Sequence, residues 1–270
     1  MGRFFHFTGF QVTNRRRFSA FTAAAWLALV AAPTWAQTPT QAQSKALGVF
    51  SLLGENLQVV GAAEVSDTRL DKSLRETLPT KGVGFDQAAL RAVQDGMARL
   101  QPATKLSMFR ATAPITLSEQ RQLAQGAERA ELPAWIVKAI ETEKLTHILL
   151  ITSQRGDAAF PVSEGHSIGR GTVEGVGLYL DRLYEIRNMK TGSTSAGFIA
   201  PFATLRLQLM DTNTGEIVKR YDIRDGYIVG ASLTDTGSDP WNYIGPTEKV
   251  DRLRQLVQDS VARVLPQVLP

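Results

Sequence analysis

The chain of 270 residues has no cysteine and only three histidines. Without cysteine there is no disulfide, no thiolate nucleophile, no thiolate metal ligand and no lipid-modified cysteine. Beyond His6 the only imidazoles are His147 and His166. That leaves few ligands for a transition metal, and no EF-hand spacing offers a calcium loop, so no metal and no other cofactor is expected. Beyond residue 36 no apolar run approaches the roughly 20 residues that span a bilayer, so no stable membrane insertion is expected there. Charge of one sign is lacking as well. The whole chain carries 30 basic and 26 acidic residues, but residues 1–36 hold four arginines and no acid, which leaves 26 of each in the remainder. The pI of about 9.4 therefore reflects the N-terminus, and a nucleic acid partner is not expected.

What the N-terminus does contain is ordered in three zones. Arg3, Arg15, Arg16 and Arg17 come first, then the small apolar run FSAFTAAAWLALVAA over 18–32, then PTWAQ with Thr34 and Ala36 at small-x-small spacing. This is the pattern of a secretory signal peptide cleaved after Ala36. Arg15-Arg16-Arg17-Phe18 also matches R-R-x-F of twin-arginine export, although the general secretion route accepts the same residues. Residues 37–45, QTPTQAQSK, read as a flexible linker. Residues 46–270 are within the size of one α/β domain, and the expected location is the periplasm.

Apolar periodicity predicts the elements. ALGVFSLL (46–53) and LQVVGA (57–62) flank Gly54-Glu55-Asn56 and predict a hairpin. Residues 68–78 offer a short edge strand. Leu90, Val93, Met97 and Leu100 predict a helix over 85–102 with Asp86 as its N-cap. KLSMFRA (105–111) predicts a strand. Thr116 and Glu119 have capping-box spacing for a helix, and a second helix is expected over 133–144. HILLITS (147–153) predicts a buried central strand. A strand over 172–186, the alternating FATLRLQLM (202–210), a DTNTG turn (211–215) and EIVKRYDI (216–223) predict an antiparallel meander with one wet face. Arg206, Gln208, Lys219 and Arg220 are expected on that face. The final segment puts Val250, Leu253, Leu256, Val257, Val261 and Val264 on one side of a helix. The expected fold is α/β (α+β): a mixed sheet with helices packed on it, a C-terminal antiparallel meander and a last helix.

In this element order, and in LRLQLMDTNTGEIVKRYDI with its strand, TGE-containing turn and strand, the chain resembles the periplasmic α/β domains of the TolB N-terminal and CsgG type. The resemblance implies an envelope adaptor or assembly component and supplies no catalytic residues.

Two motifs invite catalytic readings. Gly165-His166-Ser167-Ile168-Gly169 is G-x-S-x-G, the nucleophile elbow of α/β-hydrolases. That elbow needs a strand before the serine, a helix after it and a histidine later in the chain. Four glycines follow Ser167 by Gly177 and no histidine does. Only a different scaffold, using His147 or His166, would make Ser167 a nucleophile. The same glycines lack dinucleotide or P-loop spacing. Asp235-Thr236-Gly237-Ser238 matches the aspartic protease motif, but a second copy is absent and too little chain follows for that fold. The reading is therefore a non-catalytic exported protein, a binding, adaptor or assembly component of the cell envelope with another envelope protein as partner. A serine hydrolase and a periplasmic small-molecule binding domain stand as alternatives. The long stretch 154–171, taken as having no structure of its own, and the loops 187–199 and 231–246 are where binding is sought. Trp241 and Tyr243 in the last loop, and Arg206 and Lys219 on the meander, are the partner-binding candidates.

Overall fold

The computed structural model describes residues 45–62, 74–80, 82, 84–111, 115–124, 132–187, 192, 194–230 and 239–269. The signal peptide, nearly all of the linker and the Asp235-Thr236-Gly237-Ser238 motif lie outside the described residues. The elements are β1 (Ala46–Ser51), β2 (Asn56–Gly61), β3 (Leu74–Pro79), α1 (Phe85–Leu100), β4 (Lys105–Arg110), α2 (Leu117–Ala124), α3 (Ala134–Glu143), β5 (His147–Ser153), β6 (Arg155–Asp157), β7 (Phe160–Ser163), β8 (His166–Ile168), β9 (Thr172–Arg187), β10 (Thr194–Asp211), β11 (Ile217–Gly226) and α4 (Pro246–Val268). A 3-10 turn covers Pro240–Tyr243. This is the mixed α/β architecture expected, with the β9–β10–β11 meander followed by the last helix.

β10 organises the sheet. Its 18 residues extend about 60 Å at the usual rise per residue, longer than any partner. One edge pairs with β9 through residues 194–204 and then with β5 through 205–211, antiparallel in both cases. The other edge pairs with β11. β1 runs parallel to β5 and β4, while β2 runs parallel to β9 and antiparallel to β3. The sheet thus has two storeys on a common strand. β1 and β2 point the same way, one above the other, and so do β5 and β9.

This corrects the expected β1–β2 hairpin. Gly54, at φ +72°, turns the chain without reversing it, because each strand finds a longer apolar partner elsewhere. Ladder bonds carry the sheet across the break: Leu52 N–H donates to Ile151 O at 2.9 Å, Gln154 N–H to Thr204 O at 2.9 Å, and Gly175 N–H to Gln154 O at 3.2 Å.

On the first face, α1 and α4 cover both storeys. Leu205, Leu207 and Leu209 of β10 join Val49, Ile151 and Leu178, with Val93 and Met97 of α1 and Leu253, Val257 and Val261 of α4, in one cluster. Of the expected core residues, Leu90, Val250 and Leu256 are only half-buried and Leu100 is exposed.

The second face is divided. Ile136 and Ile140 of α3 and Leu123 of α2 cover Phe50, Ile148, Leu150 and Met210. In the other storey Phe160, Ala158 and Ile168 cover Tyr179, Phe198, Ala200 and Phe202. The stretch 154–171 is therefore not structureless: β6 pairs with β9, and β7–β8 form a hairpin folded over the sheet. Between the two covers β10 turns Thr204, Arg206 and Gln208 to this face. Thr204 and Gln208 are buried and Arg206 is half-buried, so the predicted wet face is largely closed. The hairpin and helices at its two ends are what close it. Lys219 does not share this face. It is in register with Leu209 and its ammonium donates to Gln267 O of α4 at 3.2 Å.

Candidate functional site

The break between the storeys opens a cleft of about 860 Å³. It lies where the carboxyl ends of the parallel strands β1, β4 and β5 stop, the position at which open α/β sheets receive ligands. Its walls are the β1–β2 turn, the end of β3, the first turns of α1 and α2, and the start of β9.

The local sequence explains the walls. Asp86 is not the N-cap of α1. Gly84 holds that position without a side-chain bond. The carboxylate of Asp86 instead reaches to the β1–β2 turn. Its Oδ1 accepts from Ser51 Oγ at 2.6 Å and Leu53 N–H at 2.8 Å, and Oδ2 accepts from Gly54 N–H at 3.1 Å. One side chain thereby fixes the turn that separates β1 from β2. Burial pushes the Asp86 carboxyl above its ordinary range, while the three donors and the charge of Arg110 pull it the other way.

On the opposite wall the expected capping box of α2 is present. Thr116 N–H donates to Glu119 Oε2 at 2.7 Å and Glu119 N–H to Thr116 Oγ1 at 3.3 Å. The Thr116 hydroxyl, which also donates to Glu119 Oε2 at 2.7 Å, and the Thr116 N–H hold Glu119 below the usual carboxylate range. Gln120 ties α2 to the sheet. Its Oε1 accepts from Ser153 N–H at 2.8 Å and its Nε2 donates to Ile115 O at 3.2 Å. Arg121 Nε pairs with Glu174 Oε1 of β9 at 3.1 Å. At the sheet end of the cleft the glycines have steric reasons. Gly175 sits at φ +71°, and a Cβ on Gly177 would strike the Gln58 carbonyl and the Phe202 ring. The glycines are spent on close strand approach, not on a phosphate.

Leu52, Leu53, Ile115, Leu117 and Val176 give the cleft apolar surface, and Asn56, Gln58, Thr77, Ser118, Glu55 and Arg110 give it polar groups at the rim and walls. This is the composition of a binding cleft, apolar walls with a few placed polar groups. Among the described residues no histidine lines it.

The residues singled out from sequence lie elsewhere. Ser167 and His166 are neighbours in β8, both exposed. Neighbours in a strand point to opposite faces. His166 Nδ1 lies 3.2 Å from Glu164 O. Ser167 is in register with Pro161 in mid-hairpin, not on a strand-to-helix turn. His147 opens β5, with Nδ1 3.1 Å from Thr146 Oγ1 and Nε2 3.9 Å from Asp211 Oδ2. The 7 residues of β5, about 20 Å, separate it from the end at which the hairpin insertion leaves. The structure does not bring His147, His166 and Ser167 together.

Trp241 and Tyr243 brace the fold. Asp239 caps their turn by accepting from Trp241 N–H at 2.8 Å and pairs with Arg182 Nε at 2.7 Å, which lowers its pKa. Tyr243 Oη donates to Ala196 O at 3.0 Å. The buried ammonium of Lys249 lies 4.2 Å above the Trp241 ring and donates to Ile244 O at 2.5 Å, and burial lowers its pKa. Arg206 is held by Asp222 through a fork of 2.6 and 2.8 Å. Among the described residues no group of three or more His, Asp or Glu side chains is placed to hold a metal ion, and no helix is long and apolar enough to cross a membrane.

The cleft residues Asp86, Arg110, Gln120 and Ser153, and the buried Ser51 that donates to Asp86, are not found by motif. A usable signal does exist: Ser51 and Ser153 each end an apolar strand with a polar residue, at the end where ligands meet parallel strands.

No family model matches the chain, and no curated protein does. Among solved structures it is similar to a neuraminyllactose-binding hemagglutinin homolog from Helicobacter pylori, at 8% identity and TM-score 0.35, covering 83% of this chain and 85% of that one. A Xanthomonas campestris protein of the family model DUF330 gives 8%, 0.32, 83% and 83%. A hypothetical protein from Chlamydia trachomatis gives 11%, 0.26, 83% and 98%. Likenesses this distant carry no argument about function.

Proposed function

We propose that the protein is an exported, non-catalytic binding component of the bacterial cell envelope, with residues 46–270 as its folded domain and the cleft at the sheet break as its binding element. The cleft is the observation that carries this reading. Its walls are tied by side-chain bonds that leave apolar surface and rim polar groups facing open space. The three-zone N-terminus supports export. The alternative occupant, a small molecule instead of a segment of another envelope protein, suits the same cleft, whose volume is within the range of small-molecule sites.

A photo-crosslinking amino acid at Glu55, on the rim, is the test in living cells, with Val162 on the β7–β8 hairpin as the control. A discrete adduct at Glu55 and none at Val162 is the expected result. The reverse pattern would move binding to the hairpin and overturn the assignment. The mass of the exported chain is expected to begin at Gln37. Ser167→Ala is expected to change stability by no more than about 0.5 kcal/mol and to leave the Glu55 adduct intact. Loss of the adduct in that variant would favour the hydrolase reading.

A further inference from the structure

Away from the cleft, α1 and α4 leave a second hollow between their solvent-facing sides. It holds about 210 Å³ and is lined by Gln87 and Arg91 of α1 and by Asp251, Arg254, Gln255 and Gln258 of α4, over Ala88. Helical spacing makes it. Gln87 and Arg91 are one turn apart, as are Arg254 and Gln258, so each helix contributes an amide and a guanidinium to the same side. Ala88, with only a methyl group, leaves the floor low.

The charges in this hollow are not balanced internally. Arg91 makes no hydrogen bond or ion pair among the described residues. Arg254 has one acidic neighbour, Asp251, but Nη1 and Oδ1 are 3.7 Å apart, beyond hydrogen-bond distance. Its Nε–H is buried, out of reach of solvent, and has no partner, while the side chain as a whole is 38% exposed. The two Nη groups of a guanidinium, beyond the buried Nε, can donate together to two oxygens of a tetrahedral oxyanion. Two arginines against one carboxylate leave one positive charge; Gln87 and Gln258 can supply neutral donors, while Gln255 Nε2 already donates to Asp259 Oδ1 at 2.7 Å.

We propose that the α1–α4 hollow binds a small tetrahedral oxyanion of the phosphate class, held between Arg254 and Arg91. The hollow has room for such an ion with a few waters and is too small for a nucleotide. The phosphate is either free or the headgroup of an anionic lipid, since both present the same oxygens.

The test is a titration of the full chain with sodium phosphate at constant ionic strength, read on the arginine Nε–Hε signals by NMR, with sodium chloride as control. Arg254→Ala assigns its own signal by removing it. The expected result is a saturable shift of the Arg254 signal with phosphate and none with chloride. In Arg91→Ala the affinity is expected to fall about tenfold or more, the worth of a charge-assisted hydrogen bond. Arg91 is exposed and Arg254 half-buried, and neither belongs to the apolar cluster beneath the helices, so neither variant removes a core side chain. Co-sedimentation with phosphatidylglycerol vesicles separates the sources. Vesicle binding that both variants lose assigns a lipid headgroup, and phosphate binding without vesicle binding assigns the free ion. An Arg254 signal that does not saturate, or one whose affinity is unchanged in Arg91→Ala, overturns the proposal.

Discussion

The two faces of the sheet are built in opposite ways. On the first, α1 and α4 lie across the break, and their side chains form one apolar cluster that includes residues of both storeys. On the second, each storey has its own cover, a pair of helices over one and a β-hairpin over the other, with a polar band between. The first face makes the two storeys one folding unit. The second frees the sheet break from a continuous lid, and that is where a cleft can exist. Continuity of packing on one side allows interruption on the other.

The contrast can be broken most severely from the first face. Leu207 is fully buried in β10 under α1 and α4. Leu207→Ala is expected to cost about 3–5 kcal/mol and to shift unfolding of both storeys together. Urea melts read by tryptophan fluorescence and by far-ultraviolet circular dichroism should stay coincident. Two separate transitions would show that the first face does not unite the storeys. On the second face Phe160→Ala empties the hairpin's anchor against Tyr179 and Phe198. Its cost is expected to be about 2–3 kcal/mol, because a hairpin can settle into the space. Hydrogen exchange should rise over 156–168 and stay unchanged over α3.

Asp86→Asn acts at the break itself. The amide that replaces one oxygen cannot accept from the turn's N–H groups, and a loss of about 1–2 kcal/mol is expected. Burial raises the Asp86 pKa, so the folded chain binds its proton more tightly than the unfolded chain. Stability from this group is present at acid pH and falls as pH rises from the ordinary carboxylate range to the raised value. The difference between parent and variant in denaturant melts should therefore shrink from acid to neutral pH. Arg206→Ala has the opposite sign. Arg206 lowers the Asp222 pKa, so their bond stabilises above the ordinary carboxylate range and is lost as pH falls through the lowered value. The pair is partly open to solvent, and about 1 kcal/mol at neutral pH, fading with acid, is expected.

Long periodic segments were legible in the sequence. α1, α4 and the meander follow from spacing, because each repeats its apolar residues on one face, and β5 follows from a short unbroken apolar run buried on both faces. Pairing partners were not legible. β1 and β2 have the local signature of a hairpin, and only the greater length of β10, some 150 residues later, draws them into separate storeys. The polar face of β10 was misread for a related reason. Thr204, Arg206 and Gln208 alternate with leucines as a wet face would, but the elements at the two ends of this face come from 117–124, 134–143 and 155–168, and strand alternation says nothing about distant covers. Gln208, at 1% exposure with neither amide atom bonded, is the residue at which the simple pattern fails most clearly. The cleft was legible only as a pair of serines at strand ends, since its defining bonds join Asp86 to residues more than thirty positions earlier.

Among the described residues β11 pairs only with β10, so the sheet ends there in a strand of 10 residues. An open strand of that length is a template on which another chain can polymerise. This one carries Lys219, Arg220 and Arg224, while its two carboxylates are already bound, Asp222 to Arg206 and Asp225 to Arg263 of α4. A second copy approaching edge to edge brings like charges against like, which disfavours the pairing. In a crowded compartment these cations make the border of the sheet a barrier to fibril growth, and they do so without burying any surface.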